Sequence, residues 1–420
     1  MTSPPAVQED LEGGPRKWRH LGLLALAEVL GMSLWFSASA VSPALQEAWG
    51  LSVAGAAWLT MAVQIGFVAG TALSGVLNLP DIISSRRLFV ASAWLGAAAN
   101  AGFALLAGGL ASGVVLRFLT GFFLAGVYPP GMKLAATWTR RHRGLAIGLV
   151  VGALTLGSAA PHLVRSLSHL GSPGGETSGW TGVVLVSSAL AAAGGLIVAL
   201  LFREGPFAAG GARFNPRFAL SIFTRRGLRL ANFGYLGHQW ELYAMWTWVP
   251  VFLAGRVAAG GGPPSLAPLL AFAVVGIGGL GCLAAGAVAD RLGRTATTSA
   301  AMIVSGAMAL LAAAFHAAPL PLLTAILLIW GVSVVADSAQ FSASITELSP
   351  PEYTGTALTI QTSVGFLLTM ASIQLVPLIV EMGGWPAAFV MLAVGPAFGT
   401  AAMLRLRGLP EAEQLAGGRR

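Results

Sequence analysis

The chain of 420 residues is 55% hydrophobic and only 10% charged, with a mean hydropathy of +0.76. A soluble domain carries about 25% charged residues, so a body of this size with so few could not cover its surface in water; an ordinary soluble enzyme and a disordered chain are excluded. The net charge of +8 does not mark a nucleic-acid-binding domain either, because the Lys and Arg fall in short clusters between apolar runs, as membrane topology requires.

A helix needs about 20 apolar residues to cross a bilayer core of about 30 Å. That ruler places twelve spans in chain order, at 20–42, 54–77, 88–108, 111–135, 144–166, 180–202, 229–254, 266–288, 297–316, 320–343, 354–379 and 385–405. The first follows Arg16, Lys17 and Arg19 and reads as a retained span. It is longer than the apolar core of a signal peptide, lacks a small-residue cleavage site and is interrupted by Glu28. Cys282 lies within the eighth apolar run and supports neither a disulfide framework nor a Cys-based metal site.

Between the spans, Arg86 and Arg87, then Arg140, Arg141 and Arg143, then the run from Arg203 to Arg229, then Arg291 and Arg294 alternate with connections that carry almost no basic residues. Of the 24 Lys and Arg, all but Arg117, Arg165 and Arg256 fall on one side. The Lys/Arg bias assigns that side, with both termini, to the cytoplasm. The expected organisation is a cytoplasmic tail at 1–19, a six-helix bundle at 20–203, a central cytoplasmic loop at 204–228, a second bundle at 229–405 and a cytoplasmic tail at 406–420.

The halves repeat at an offset of about 210 residues. Gly75 through Asp81 to Arg87, after the second span, matches Gly286-Ala-Val-Ala-Asp290-Arg291-Leu292-Gly293-Arg294 after the eighth. Gly121 corresponds to Gly331, and Arg143-Gly144-Leu145-Ala146 to Thr354-Gly355-Thr356-Ala357. Two matched bundles of this kind can rock against each other around a site at mid-membrane.

Gly286, Asp290, Arg291, Gly293 and Arg294 resemble the cytoplasmic loop signature of the major facilitator superfamily, and Arg117, Gly121, Gly126 and Pro129 resemble its second signature. The resemblance covers about residues 20–405. It implies an all-α membrane protein with twelve transmembrane helices in two six-helix pseudo-repeats. The first-half loop departs from the pattern, since Pro80 precedes Asp81 and Ser84-Ser85 stands where Gly is expected. In the loop, Asp290 can face a helix N-terminus of the other half while Arg291 and Arg294 pair with acids. Asp290, Arg291, Arg294 and Asp81 are therefore the candidate conformational latch; the alternative is that the arginines only set topology. Gly144, Gly148 and Gly152 repeat every fourth residue of span five and permit close helix approach.

An ionisable side chain at mid-bilayer costs about 2.5–3.5 kcal/mol on insertion scales, so each needs a reason. Those here are Glu28, Arg117, His162, Arg165, His238, Glu241 and Asp337, with Lys133 near the end of its helix. The resemblance implies that spans one, four, seven and ten line the central cavity, where most of these fall. A carboxyl group in an apolar cavity can carry a proton through each cycle. Glu241 is the first candidate, Glu28 the second, and His238 stands three residues before Glu241 on the same face. The competing reading is that each carboxylate is a permanent ion-pair partner. A metal would want further ligands at matching spacing, and none is expected; no cofactor motif is present.

Arg117 has two readings, a bidentate clamp on a substrate carboxylate and a structural donor to backbone carbonyls. Trp35, Trp240, Tyr243 and Trp246 can stack on an organic substrate or simply pack. Tyr128 beside Pro129-Pro130, Asp337, Gln340 and Gln361 complete the candidate contacts. With no nucleotide-binding loop and no nucleophile triad, an enzyme is not expected and energy must come from a gradient. The leading reading is a proton-coupled or exchange carrier of a small organic solute working by alternating access, an organic anion held by Arg117 being one candidate solute. A second is efflux of hydrophobic or cationic compounds. A third, of another class, is a membrane sensor on the same fold. The expected setting is the inner membrane, as a monomer.

Overall fold

The computed structural model describes residues 14–77, 79, 83–139, 143–171, 179–207, 221–350 and 353–419. Among these, ten helices are long and apolar enough to cross a membrane. Two features reconcile ten with twelve. Span one is broken into Pro15–Met32 and a short turn at Ser37–Ala40, followed by Ser42–Trp49. Spans eleven and twelve run together as Thr354–Arg407, interrupted at Gly384, whose φ of +71° only glycine adopts readily.

The remaining spans are Val53–Val76, Ser85–Leu106, Leu110–Leu124 with Tyr128–Ala136, Arg143–Gly171, Trp180–Leu200, Arg226–Ala259, Leu266–Gly276 with Gly278–Leu292, Arg294–Ala314, and Leu320–Ala336 with Ser338–Leu348. Span seven starts three residues earlier than the apolar pattern indicates, because Arg226 and Arg229 continue the helix beyond the apolar core. An even number of spans brings both termini to one face of the bundle. The tail after span twelve is not free: Pro410–Gly417 forms a 3₁₀ helix whose Ala412 and Leu415 are fully buried against the second half.

Glycine brings the helices of each half together in the same way. A Cβ at Gly121 of span four would stand 1.9 Å from the Val63 carbonyl oxygen of span two, and one at Gly331 of span ten 1.8 Å from that of Val274 in span eight. No other residue fits at either crossing, and their equivalence carries the sequence repeat into the packing. The two halves meet along spans five and eight, where Gly148 and Gly152 lie on the backbone at Cys282 and Gly279. They also meet along spans two and eleven, where Thr369 Oγ1 donates to Gln64 Oε1 at 2.9 Å.

Candidate functional site

Between the halves, six aromatic rings form a layer across the molecular axis. Trp35 and Phe36 come from the break in span one, Phe67 from span two, Tyr243 and Trp246 from span seven, and Phe366 from span eleven. Ring centroids in this layer stand 5.0 Å apart for Trp35–Phe67, Phe67–Phe366 and Tyr243–Phe366, and 5.9 Å for Phe36–Trp246. The first three contacts are tilted and the fourth is edge-on, and aromatic pairs avoid the face-to-face sandwich in this way.

On the termini side of this layer lies a narrow cleft lined by Tyr128 and Met132 of span four, Tyr235, Gln239, Tyr243 and Trp246 of span seven, Ser338 and Ser342 of span ten, and Thr362 and Phe366 of span eleven. Its polar groups are hydroxyls, an amide and an indole, and among the described residues no cationic side chain lines it. Two of them are buried without a hydrogen-bond partner, the Gln239 Oε1 acceptor and the Trp246 Nε1 donor. Buried polar groups are seldom left so, and both suit a solute that offers a donor and an acceptor.

Glu28 sits directly behind this wall. It is fully buried, its carboxylate lies over Gly131 of span four, and neither oxygen has a hydrogen-bond partner among the described residues. Glu241 is differently placed. Trp330 Nε1 donates to its Oε1 and Ser305 Oγ to its Oε2, each at 2.7 Å, so spans seven, nine and ten of the second half enclose it. No hydrogen bond joins it to His238. The His238 Nδ1 stands 2.8 Å from Asp337 Oδ1 instead, which removes Asp337 from the cleft surface.

Arg117 does not form the expected clamp. Its guanidinium donates to the carbonyls of Leu34, Trp35 and Leu59, to Ser37 Oγ and to Asn100 Oδ1. The break in span one leaves helix-end carbonyls without partners, and Arg117 meets them. Asn100 in turn donates to Val184 O and Ser188 Oγ, tying five spans of the first half into one network. These bonds hold the fully buried guanidinium inside one half, away from the lining of the central cleft.

Other expected contacts also fall elsewhere. Trp240 donates to the Met391 carbonyl at 3.0 Å and faces span twelve. Gln340 accepts from Arg294 at 2.8 Å near the termini face. Gln361 is buried with neither amide atom partnered, and Trp35 belongs to the aromatic layer rather than the cleft. Tyr128, Tyr243 and Trp246 do line the cleft. Of the latch, Arg294 bonds Asp290 and Glu347, each at 3.0 Å; Arg291 is exposed, and Asp81 lies outside the described residues. Among the described residues no three His, Cys, Asp or Glu gather as a metal site.

Tyr235, Gln239, Ser342 and Thr362 escape the sequence reading. A signal was present: Tyr235, Gln239, Leu242, Tyr243 and Trp246 recur every three or four residues, which defines one helix face. Trp240 and Glu241 are off that face. Charge and ring alone select span-seven residues from both faces.

A family model described as Major Facilitator Superfamily matches residues 23–373. No curated protein matches the sequence. Among solved structures the fold resembles the proton:xylose symporter XylE bound to 6-bromo-6-deoxy-D-glucose, with a TM-score of 0.71 and 15% identity over 92% of this chain and 95% of that one.

Proposed function

The chain belongs to the major facilitator superfamily and is a multi-pass secondary transporter rather than an enzyme, and on that premise we propose that it is a proton-coupled carrier of a small uncharged or cationic amphipathic organic solute. The observation that carries this reading is the cleft itself: aromatic rings and hydroxyls surround the unpartnered Gln239 Oε1 and Trp246 Nε1, with an acid behind the wall and no base within it. An organic anion would leave its charge uncompensated there. Rings offer stacking and, for a cation, their π-faces.

The proton is assigned to Glu28. An ionised carboxylate buried with no counter-charge and no hydrogen bond costs several kcal/mol, so the arrangement favours the neutral acid. Rocking of the halves that opened Glu28 to water would release the proton, and Tyr128 and Met132 beside it would transmit solute binding to that motion. The proton:xylose symporter is a precedent for proton coupling on this fold, and its sugar for an uncharged solute. The Lys/Arg bias supports placing the termini face in the cytoplasm, at the inner membrane, and two complete halves in one chain support a working monomer.

The test is transport in proteoliposomes under an imposed pH gradient, across a panel of organic acids, neutral polyols and lipophilic cations. Accumulation of polyols or cations, abolished in Glu28→Gln with solute exchange retained, is the expected result. Gradient-driven accumulation of organic acids alone would overturn the reading.

A further inference from the structure

A second cavity lies at the opposite face of the molecule, beyond the aromatic layer. It has a volume of about 290 Å³ and is shared by the two halves. Span five of the first half contributes His162, Arg165 and His169, which recur at three- and four-residue steps and so share one face. Span seven of the second half contributes Pro250, Val251 and Ala254. Among the described residues no Asp or Glu lines the cavity.

The polar side of this cavity is unmet. His162 is only 3% exposed, yet neither its ring nor the Arg165 guanidinium makes a hydrogen bond or ion pair with any described residue. Other arginines of the spans have acceptors for their terminal nitrogens within the fold: Arg117 in carbonyls, Arg294 in two carboxylates, and Arg256 in the carbonyls of Ala317 and Ala318. A guanidinium held in a partly enclosed site without an acceptor is costly, and its planar fork matches a carboxylate in two parallel bonds. The facing wall of proline, valine and alanine offers only apolar surface. The volume is near the low end for small-molecule sites, which sets the size of the occupant.

We propose that this cavity is a binding site for small organic anions, with a carboxylate seated on Arg165 and His162 and an apolar body against Pro250, Val251 and Ala254. The site is separate from the central cleft and carries the opposite preference in charge. Its walls come from both halves, so an occupant touches both and favours the arrangement in which they meet at this face. Differential affinity of this kind is what lets a ligand shift a two-state equilibrium.

The experiment titrates benzoate, and in a parallel arm inorganic phosphate, against the purified full-length protein by calorimetry. Three variants accompany it: Arg165→Gln removes the fork, Ala254→Phe fills the cavity from the other half without touching a charge, and Tyr128→Phe alters only the central cleft. Saturable benzoate binding that weakens about tenfold or more, equivalent to about 1.4 kcal/mol, in Arg165→Gln and in Ala254→Phe but not in Tyr128→Phe is the expected pattern. If one of the first two variants fails to fold, the other decides. Absence of saturable benzoate binding, or binding unchanged in the folded variants of that pair, overturns the proposal; phosphate binding as tight as benzoate overturns its assignment to organic anions.

Discussion

Glu28 and Gly131 interlock: a Cβ built on Gly131 would stand 2.6 Å from Glu28 Oε2. The glycine is needed for room rather than for its backbone angles, and the room belongs to a carboxyl group that no donor among the described residues meets. Gly131 adjoins Met132 and follows Tyr128 by three residues, so the acid lies one layer behind the cleft wall. Gly131→Ala should displace the carboxyl at an overpacking cost of about 1–3 kcal/mol, leaving a folded protein whose solute flux is no longer tied to proton flux. Parallel recordings of solute uptake and internal pH in proteoliposomes would reveal this; an unchanged proton-to-solute ratio would separate Glu28 from coupling.

Glu241→Gln should behave in the opposite way. Two donors at 2.7 Å fix the carboxylate inside the second half. A glutamine can keep its oxygen on Trp330 Nε1 and donate its NH₂ to Ser305 Oγ, since a hydroxyl also accepts, but two charge-assisted bonds become neutral ones at a cost of about 1–2 kcal/mol. The melting temperature should fall while gradient-driven accumulation persists. Loss of accumulation in a protein that melts normally would return the coupling role to Glu241.

For Arg117→Lys the expected loss is stability rather than affinity. A lysine has three donors on one nitrogen and cannot reach acceptors spread over spans one, two and three. Breaking so buried a charged network costs about 3–5 kcal/mol, read as a lower folded yield and melting temperature. Solute affinity in the surviving folded fraction should match the parent. A selective loss of affinity for organic acids, with stability intact, would restore the clamp.

Span number, the repeat and the family were all legible because they rest on run length, charge placement and glycine spacing. Gly121 and Gly331 are an example: the sequence aligned them, and the structure puts both against the carbonyl of the neighbouring helix. Which charge faces the cleft was not legible. Glu28 and Glu241 occupy equivalent helices, and nothing in the local sequence says that Ser305 and Trp330, from spans nine and ten, close over one of them while the other stays unpartnered. The role of Arg117 depended likewise on a break in span one at Ser33–Phe36, within an apolar run that reads as continuous.

The contact between spans five and eight gives a test of rocking itself. A Cβ at Gly152 would stand 2.9 Å from the Gly279 carbonyl oxygen, and one at Gly279 3.0 Å from that of Gly152. Because the helices belong to different halves, Gly152→Val should leave each half folded and strain only the arrangement in which they touch. A bias of about 1–3 kcal/mol shifts a two-state equilibrium by about 5- to 150-fold. Turnover should fall with little change in yield, and labels placed across the interface should report a wider mean separation. Normal turnover with an unaltered separation would mean that the glycines serve packing alone.

Arg294 bonds Asp290 and Glu347, and the other Glu347 oxygen accepts from the Ala416 backbone at 2.9 Å, while Leu415 is buried beneath. The partly exposed Asp290 is expected to contribute about 0–1 kcal/mol, so Asp290→Asn should change stability little. Glu347 matters more because it serves both the latch and the tail. Glu347→Ala and deletion of residues 410–420 should each destabilise the protein, yet together cost less than their sum, with a coupling of about 0.5–3 kcal/mol. Denaturant melts of the four proteins in this cycle measure it. Strict additivity would mean that other contacts, such as the buried Ala412 and Leu415, hold the tail and that the carboxylate of Glu347 does not link it to Arg294.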